Sequence, residues 1–555
     1  MIADLRHVPF SAAGSYIAFS RLSGSGETSE TVRMRTVRSG ACTPDLLEVL
    51  PLTDEGPAAG EASFTPDELA IEAGSGVVRI AFEDSSRVRV HGDGVGILLR
   101  ADAAGPYDTL VPLGDGEWRY LRYEARTTLR IRVRAGSARS LSTWDGVRSG
   151  LLLLTGDPGT VFDIEEEAES AGPLRDIPAG GIVPDFPAFL DLMPDCGPEF
   201  EDARELAAYV LWSTLVEPSG FLTRPSILMS KNWMTNLWSW DNCFNAMSLE
   251  RIPWLAAHQY FSVFDHQTAD GRLPDYINDA FRSYSFVKPP IHGWALQRMR
   301  ERGMVDESWL AASYEPLSRW TRWWLTERTA TEAALPHYYH GNDSGWDNST
   351  VFESGVPVES PDLAALLVVQ MDALADAAAT LDRPEEADEW RERAERMLGM
   401  LLERLWRGDR FVARRAGSAR EVASSSLLTR VPVILGSRLP SDVFRALAED
   451  IGSQDFLTTS GLATESIRSA AYDSDGYWRG PVWAPSTMLI VDGLAAGGDS
   501  ALAGRIADAF CRNVARSGMA ENFDALSGHG LRDRAYSWTA SVFLTLASRY
   551  RGGRA

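Results

Sequence analysis

PDLAALLVVQMDALADAAATL fills residues 361–381, and DRPEEADEWRERAERMLGMLLERL follows at once as residues 382–405. The first stretch is apolar nearly all round, with Pro361 placed for a first helical turn, where its missing N–H costs nothing. The second opens on Asp382-Arg383-Pro384-Glu385, an Asp with Glu three residues on, which predicts a cap at Asp382. Its apolar residues Ala387, Trp390, Ala394, Met397, Leu398, Leu401 and Leu405 fall on one stripe. A helix buried on every side, followed by one buried on a single side, predicts an inner and an outer layer. Glu201 to Leu215 also has a helical period, and helical patterns recur near 305–325, 440–452, 486–516 and 535–550. Helix pairs in that number fit an α/α toroid. No clear repeat is visible, so a helical solenoid is the alternative.

Upstream the pattern changes. Residues 77–82, 87–90, 128–133 and 150–154 are short alternating or β-branched runs. Gly92-Asp93-Gly94, Gly114-Asp115-Gly116 and Gly156-Asp157-Pro158-Gly159 separate them as turns. Residues 1–175 are therefore expected to form a β-sandwich-like domain, 176–200 a linker rich in Pro and Gly, and 201–555 a helical domain. At 555 residues the chain is too long for one ordinary core. The formal net charge of -23 argues against a nucleic-acid partner. Cys42, Cys196, Cys243 and Cys511 form no metal pattern and are expected as free buried thiols in a reducing compartment. Met1 to Arg21 lacks the basic start and apolar run of a signal peptide, and no stretch reads as long and apolar enough to span a membrane. The expected location is the cytoplasm.

Two acidic segments interrupt the helical region: Gly341-Asn342-Asp343-Ser344-Gly345-Trp346-Asp347-Asn348-Ser349 and Glu521-Asn522-Phe523-Asp524-Ala525-Leu526-Ser527-Gly528. Each sets a carboxylate beside aromatic, Gly and Ser or Asn residues. Glycoside hydrolysis needs one acid to protonate the leaving oxygen and a second carboxylate to activate water. Alone, Asp347 reads as a turn carboxylate and Glu521 as a surface acid. Three more segments strengthen them: Trp238-Ser239-Trp240-Asp241-Asn242, the stretch from Asp270 through Lys288-Pro289-Pro290-Ile291-His292, and Tyr477-Trp478-Arg479-Gly480-Pro481-Val482-Trp483. Loops between toroid helices meet at one central pocket. The 18 tryptophans serve both core packing and, inside these segments, sugar faces.

These segments resemble glycoside hydrolase family 63 and, more distantly, the family 37 trehalases. Trp240-Asp241-Asn242-Cys243-Phe244 is similar to their WD-x-x-F segment, and Ser344 to Ser349 to the segment that carries the general acid. Tyr477 to Trp483 resembles YWRGPIW, Glu521 to Gly528 resembles the general-base segment, and Ser360-Pro361-Asp362-Leu363 the segment after the acid loop. There are departures. Lys288 stands where the family often has Gln, no Arg follows the acid motif, and Phe523 and Ala525 replace Tyr and Pro.

The resemblance implies an (α/α)6 barrel and an inverting exo-acting α-glycosidase, foremost an α-glucosidase on a small α-glucoside or oligosaccharide. It makes Asp347 the acid and Glu521 the base, over the nearby rivals Asp343 and Asp524. Asp241 is expected to accept from sugar hydroxyls, and Trp238, Trp240, Trp346, Tyr477 and Trp483 to form pocket walls. Arg479 and Lys288 are expected to donate to hydroxyls or to an acidic aglycone. His292 is a substrate-site candidate that also reads as a structural histidine. The chemistry calls for no metal or cofactor. The expected partner is a small carbohydrate, with no nucleic acid and no membrane. The N-terminal domain is expected to pack on the barrel, shape a pocket rim or join subunits of a homo-oligomer. Alternatives are an α-mannosidase or rhamnosidase, a polysaccharide lyase using Tyr284, His292 and Arg479, and a non-catalytic carbohydrate-binding protein.

Overall fold

In the computed structural model, which describes residues 4–22, 28–39, 45–101, 107–123, 125–141, 152–167, 182–329, 334–418 and 420–550, two antiparallel sheets precede a helical domain. Strands Ile17–Leu22, Thr28–Thr36, Asp45–Thr53, Gly96–Ala101, Leu152–Gly156 and Ala138–Ser140 follow one another across the first sheet, and Gly56–Pro57 adds to the third of these. The second runs Thr109–Gly114, Glu117–Arg122, Thr127–Ala135, Val161–Glu166, Arg87–Asp93, Gly76–Phe82, Leu69–Ala73 and Glu61–Phe64. Val78 and Ile80 alternate with more exposed neighbours, the period of a half-buried strand. The sheets meet through aromatic rings: Phe19 of the first lies 6.2 Å from Phe82 of the second, and Phe10 is 5.7 Å from Phe64. Gly150, Leu151 and Cys42, named above, lie outside the described residues. Cys196, Cys243 and Cys511 are free and buried.

Thirteen helices follow among the described residues: α1 (Phe186–Leu192), α2 (Glu201–Thr214), α3 (Asp241–Ser248), α4 (Pro253–Phe261), α5 (His292–Glu301), α6 (Glu307–Glu327), α7 (Gly341–Ser344), α8 (Pro361–Thr380), α9 (Pro384–Leu405), α10 (Ser441–Ile451), α11 (Ala484–Ala496), α12 (Ser500–Ser517) and α13 (Ser537–Arg549). Helix α1 lies inside the stretch expected as linker. Asp185 caps it and Phe186 and Phe189 anchor it in the core, so the apolar pair overrides the Pro-rich context.

Buried and half-buried helices alternate along the chain. Helices α3, α5, α8, α11 and α13, with the 3₁₀ segment Leu427–Arg438, are sheathed nearly all round. These six touch in a closed cycle: α3 with α5, α5 with α8, α8 with 427–438, that segment with α11, α11 with α13, and α13 with α3. At α5 the approach is close enough that a Cβ on Gly293 would fall 2.6 Å from the Gln370 backbone. In α9 the buried residues are the seven of the predicted stripe, from Ala387 to Leu405.

Two expectations need correction here. Asp382 does not cap α9; the N-cap is Arg383, and Asp382 takes a left-handed φ of 57° in the tight turn from α8. Pro384, fixed in the first turn, sets the start instead. Helix α8 is long and apolar enough to cross a membrane by length and composition, contrary to the reading above. Its apolarity is explained by its place in the inner ring, where most of it is buried.

The two domains are bonded together. The Tyr209 hydroxyl on α2 donates to Pro9 O at 3.1 Å and accepts from Ser11 N–H. The backbone N–H of Ser39 donates to Asp279, and Arg38 to Ser219. Lys231 is fully buried, its ammonium donating to Ser11 Oγ (3.1 Å), Ser15 O (2.5 Å), Ala12 O (3.4 Å) and Leu215 O (3.4 Å).

Candidate active site

Because inner and outer helices alternate, the inner helices all begin at one end of the ring. Aromatic residues stand at three of those starts: Trp240 is the N-cap of α3, Trp483 of α11 and Tyr536 of α13. The loops before these helices enclose a cavity of about 400 Å³. Its wall includes the carboxyls of Asp241, Asp275 and Asp347, the ammonium of Lys288, and the rings of Trp238, Trp240, Tyr276, Tyr477, Trp478, Tyr536 and Trp538. A larger groove of about 580 Å³ lies at the domain junction between Asp4, His7, Asp202 and Arg516. It holds none of the motif residues, so the smaller cavity is the candidate site.

Each wall residue has a local cause. Strand Leu237–Trp238 pairs with Tyr276–Ile277, bringing the Trp238 and Tyr276 rings to 5.5 Å and setting Asp241 in the first turn of α3. The segment 341–349, expected to carry the acid, reaches Trp240 because Gly345 closes α7 at φ 73°; a Cβ there would lie 2.5 Å from the Trp240 ring. Beyond Asp347, Asn348 locks this loop to the next one. It donates to Gly476 O (3.0 Å), accepts from Trp478 N–H (2.9 Å) and offers its carbonyl to Arg479 Nε (2.6 Å). Oriented with its nitrogen toward the carboxyl, the Asn342 amide donates to both oxygens of Asp347, at 2.7 and 3.0 Å. Glu521 is fixed through its backbone: its N–H donates to Asp533 O at 2.7 Å, and its carbonyl accepts from Trp538 Nε1 at 3.3 Å.

The carboxyls share an unusual electrostatic setting. Burial pushes Asp241 up to about 8; Lys288 opposes this, and Asp275 and Asp347 add to it. Burial likewise raises Asp347, against the pull of Lys288 and of a hydrogen bond from Tyr477. Glu521 is pushed up to about 8 by burial and by Asp533, with Arg532 opposing. Lys288 bridges Asp275 Oδ1 (3.1 Å) and Asn342 O (2.9 Å). Burial thus favours the protonated form of all three carboxyls.

Of the sequence-nominated residues, Trp238, Trp240, Asp241, Lys288, Asp347 and Tyr477 line the cavity. Glu521 sits behind the wall, close enough to raise the hydroxyls of Tyr477 and Tyr536, which do line it. Trp346 and Trp483 are not walls. Both are buried against Trp478, with ring centroids at 4.7 and 4.0 Å, and back it from behind. Arg479 is turned away to Asn348 O and Glu353, so it braces the segment 341–349. His292 lies in the core against Phe264 and Tyr260, and burial pushes it down to about 3, so it is a neutral structural histidine. Asp343 is consumed by Arg328 (2.7 Å) and the N–H groups of Val287 and Tyr339. Asp524 caps its own turn through Leu526 and Ser527. The lyase trio does not assemble either, since the Tyr284 hydroxyl is bound to His266 O (2.6 Å) while His292 and Arg479 are engaged elsewhere. Sequence reading assigned no role to Asp275, Asn342, Tyr536 or Trp538. The signal for the last two was present, as aromatic residues at the start of an inner helix, Tyr536 in the same N-cap position as Trp240 and Trp538 in the first turn.

The profile of the mannosylglycerate hydrolase MGH1-like glycoside hydrolase domain matches residues 234–539. Among similar proteins, a mannosylglycerate hydrolase of Rubrobacter radiotolerans is 24% identical over 444 residues, covering 63% of this chain and 97% of the relative. A glucosylglycerate hydrolase of Mycolicibacterium hassiacum is 25% identical, covering 56% and 91%. Among solved structures, a family 63 mannosylglycerate hydrolase from Thermus thermophilus in complex with glucose superposes with a TM-score of 0.53 at 22% identity, covering 62% and 99%. A bacterial glucoamylase complexed with acarbose has a TM-score of 0.60 at 10% identity and covers 99% of this chain and 94% of that one, a likeness of fold that takes in the sheets as well.

Proposed function

The chain belongs to the mannosylglycerate hydrolase MGH1-like family of glycoside hydrolases, and on that footing we propose an inverting, exo-acting α-glucosidase, an (α/α)6 barrel in architecture, that cleaves a small α-glucoside with an uncharged aglycone. The observation that carries this reading is the meeting of Asp347, Asp241 and Lys288 in one aromatic-walled cavity, with Glu521 buried near enough to interact with Asp347 and with the wall tyrosines Tyr477 and Tyr536. In this reading Asp347, whose proton burial favours and which Asn342 holds in place, protonates the glycosidic oxygen. Glu521 takes the proton from a water on the opposite face of the ring, and inverting enzymes keep such a pair about 6.5–9.5 Å apart. Asp241 accepts from hydroxyls of the terminal sugar, whose flat faces lie on Trp238 and Tyr276. The cavity is near the small end of the range of about 300–1,000 Å³ for small-molecule sites, which suits a short substrate bound by its end.

The uncharged aglycone rests on where the cations stand. Lys288 is engaged by Asp275 and Asn342 O. Arg479 holds Glu353 and Asn348, and Arg532, over the Tyr477 ring, holds Asp475 at 2.7 Å and Asn522. A glycerate carboxylate would enter a cavity whose lining cation among the described residues, Lys288, is already shared with Asp275 and Asn342 O. The test compares 2-O-α-glucosylglycerol with 2-O-α-glucosylglycerate, which differ only in CH₂OH against carboxylate. The expected kcat/KM favours the glycerol by about tenfold or more, the equivalent of about 1.4 kcal/mol; equal or reversed values contradict the uncharged aglycone. Relatives named for mannosylglycerate make an α-mannoside the second reading of the sugar, and the matching mannosides belong in the same assay.

A further inference from the structure

We propose that the N-terminal β domain positions the Glu521 carboxylate, through a buried relay that runs from Arg35 by way of Asn232 to Asp533 and the Glu521 backbone. The inference rests on the reading of Glu521 as the base. Arg35 lies on strand Thr28–Thr36 of the first sheet and is fully buried. Its guanidinium donates to Ser20 Oγ at 2.8 Å within its own sheet and to Asn232 O in the helical domain. The Asn232 amide donates in two directions, to His7 O (2.9 Å) and to Asp533 Oδ1 (2.8 Å). The other Asp533 oxygen accepts from Ser230 Oγ, and Ala535 N–H closes on Oδ1 at 3.0 Å. The carbonyl of the same Asp533 accepts the Glu521 N–H at 2.7 Å. Lys231, between Ser230 and Asn232, is sunk in the oxygen cage made by Ser11, Ala12, Ser15 and Leu215. One tripeptide, Ser230-Lys231-Asn232, therefore fastens the N-terminal domain to the strand end that carries Glu521.

Two observations point beyond simple packing. Asp533 is a fully buried carboxylate set next to another buried acid, an arrangement that costs stability where apolar side chains would pack as well. The family profile begins at residue 234, so Arg35, Ser230, Lys231 and Asn232 lie upstream of it while Asp533 and Glu521 lie within. The relay thus joins residues upstream of the profile to the site within it. The groups facing Glu521 are Asp533 and Arg532 on its hairpin, Asp347 on the acid loop, and the hydroxyls of Tyr477 and Tyr536. The Asp533 charge raises Glu521, and a base acts deprotonated, so removing that charge moves the acidic limb of the rate profile to lower pH.

The experiment uses the full chain with Arg35→Met, Arg35→Lys, Asp533→Asn and Glu521→Gln, with circular dichroism on each and kinetics on an α-glucoside and on α-glucosyl fluoride, whose leaving group needs no proton. Arg35→Met is expected to lower kcat by about tenfold to a hundredfold, the cost of misplacing a reacting group by about 1 Å, with KM nearly unchanged. The loss is expected to be equal on the fluoride, since the defect is on the base side. Arg35→Lys, still a donor to Asn232, is expected to recover most of it. Asp533→Asn is expected to shift the acidic limb of kcat/KM downward, and it decides the matter if Arg35→Met does not fold. A folded Arg35→Met with native kcat, or an unmoved limb in Asp533→Asn, overturns the relay. An active Glu521→Gln overturns the base assignment itself, whereas an inactive one beside native-like Arg35→Met and Asp533→Asn overturns the relay alone.

Discussion

Asp347→Asn is expected to lower kcat/KM on an unactivated α-glucoside by about 10²–10⁴-fold, the share that a positioned general acid contributes. On α-glucosyl fluoride the same variant is expected to lose little. Glu521→Gln is expected to lose a comparable factor on both substrates, because every substrate needs the activated water. The pH dependence separates the two groups further. The acid works protonated, so native activity falls as pH rises through the Asp347 ionisation. The base works ionised, so activity rises as pH climbs through that of Glu521, which burial and Asp533 push toward about 8. Asp347→Asn assayed on the fluoride is therefore expected to keep only the rising limb, with a plateau at alkaline pH. A falling limb that survives in this variant assigns the proton to another group, with Asp241 the first to examine, since burial pushes it also up to about 8.

Lys231→Met is expected to destabilise the protein measurably. The ammonium is fully buried and four oxygens stand in for its water. Burial alone works against the charge, and the carbonyls of Ala12, Ser15 and Leu215 offset that cost. An apolar side chain of similar length leaves the Ser15 carbonyl buried without this donor, at about 1–3 kcal/mol for such a group, while Ala12 O and Leu215 O keep the N–H groups of Ser15 and Gly14. The net loss is expected at about 1–3 kcal/mol, since no charge is left behind unpaired. Urea denaturation followed by tryptophan fluorescence measures it as a lowered midpoint. Because Lys231 ties the two domains, the N-terminal sheets are also expected to unfold separately from the helices in this variant. A midpoint unchanged from the native chain shows that the cage does not hold the domains together.

The layers of the helical domain were legible because burial leaves a period in the sequence. The apolar residues of 382–405 fall every third or fourth position, and those seven are the ones buried in α9. The unbroken apolarity of 361–381 marked α8 as an inner helix, and the same apolarity makes it resemble a membrane span. Composition cannot separate a helix sheathed by protein from one sheathed by lipid. The cap at Asp382 misled because Pro384 fixes the helix start from inside the first turn. The aromatic residues of the site were found by their company, but their depth was not. Trp346, Trp478 and Trp483 read alike in sequence, yet only Trp478 faces the cavity while the other two support it. Spacing did not separate Asp343 from Asp347, four residues apart; the resemblance did, and in the fold the contact of Arg328 with Asp343 takes that carboxyl out of the site. Ser230-Lys231-Asn232 gave no signal at all, because its partners Arg35 and Asp533 lie about two hundred and three hundred positions away.

The anomer of the first sugar released tests the account most directly. ¹H NMR of the enzyme acting on an α-glucoside, read before mutarotation, is predicted to show β-glucose appearing first, because Glu521 delivers water to the face opposite the leaving group that Asp347 protonates. α-Glucose as the first product contradicts the assignment of acid and base and requires a nucleophile in place of the activated water.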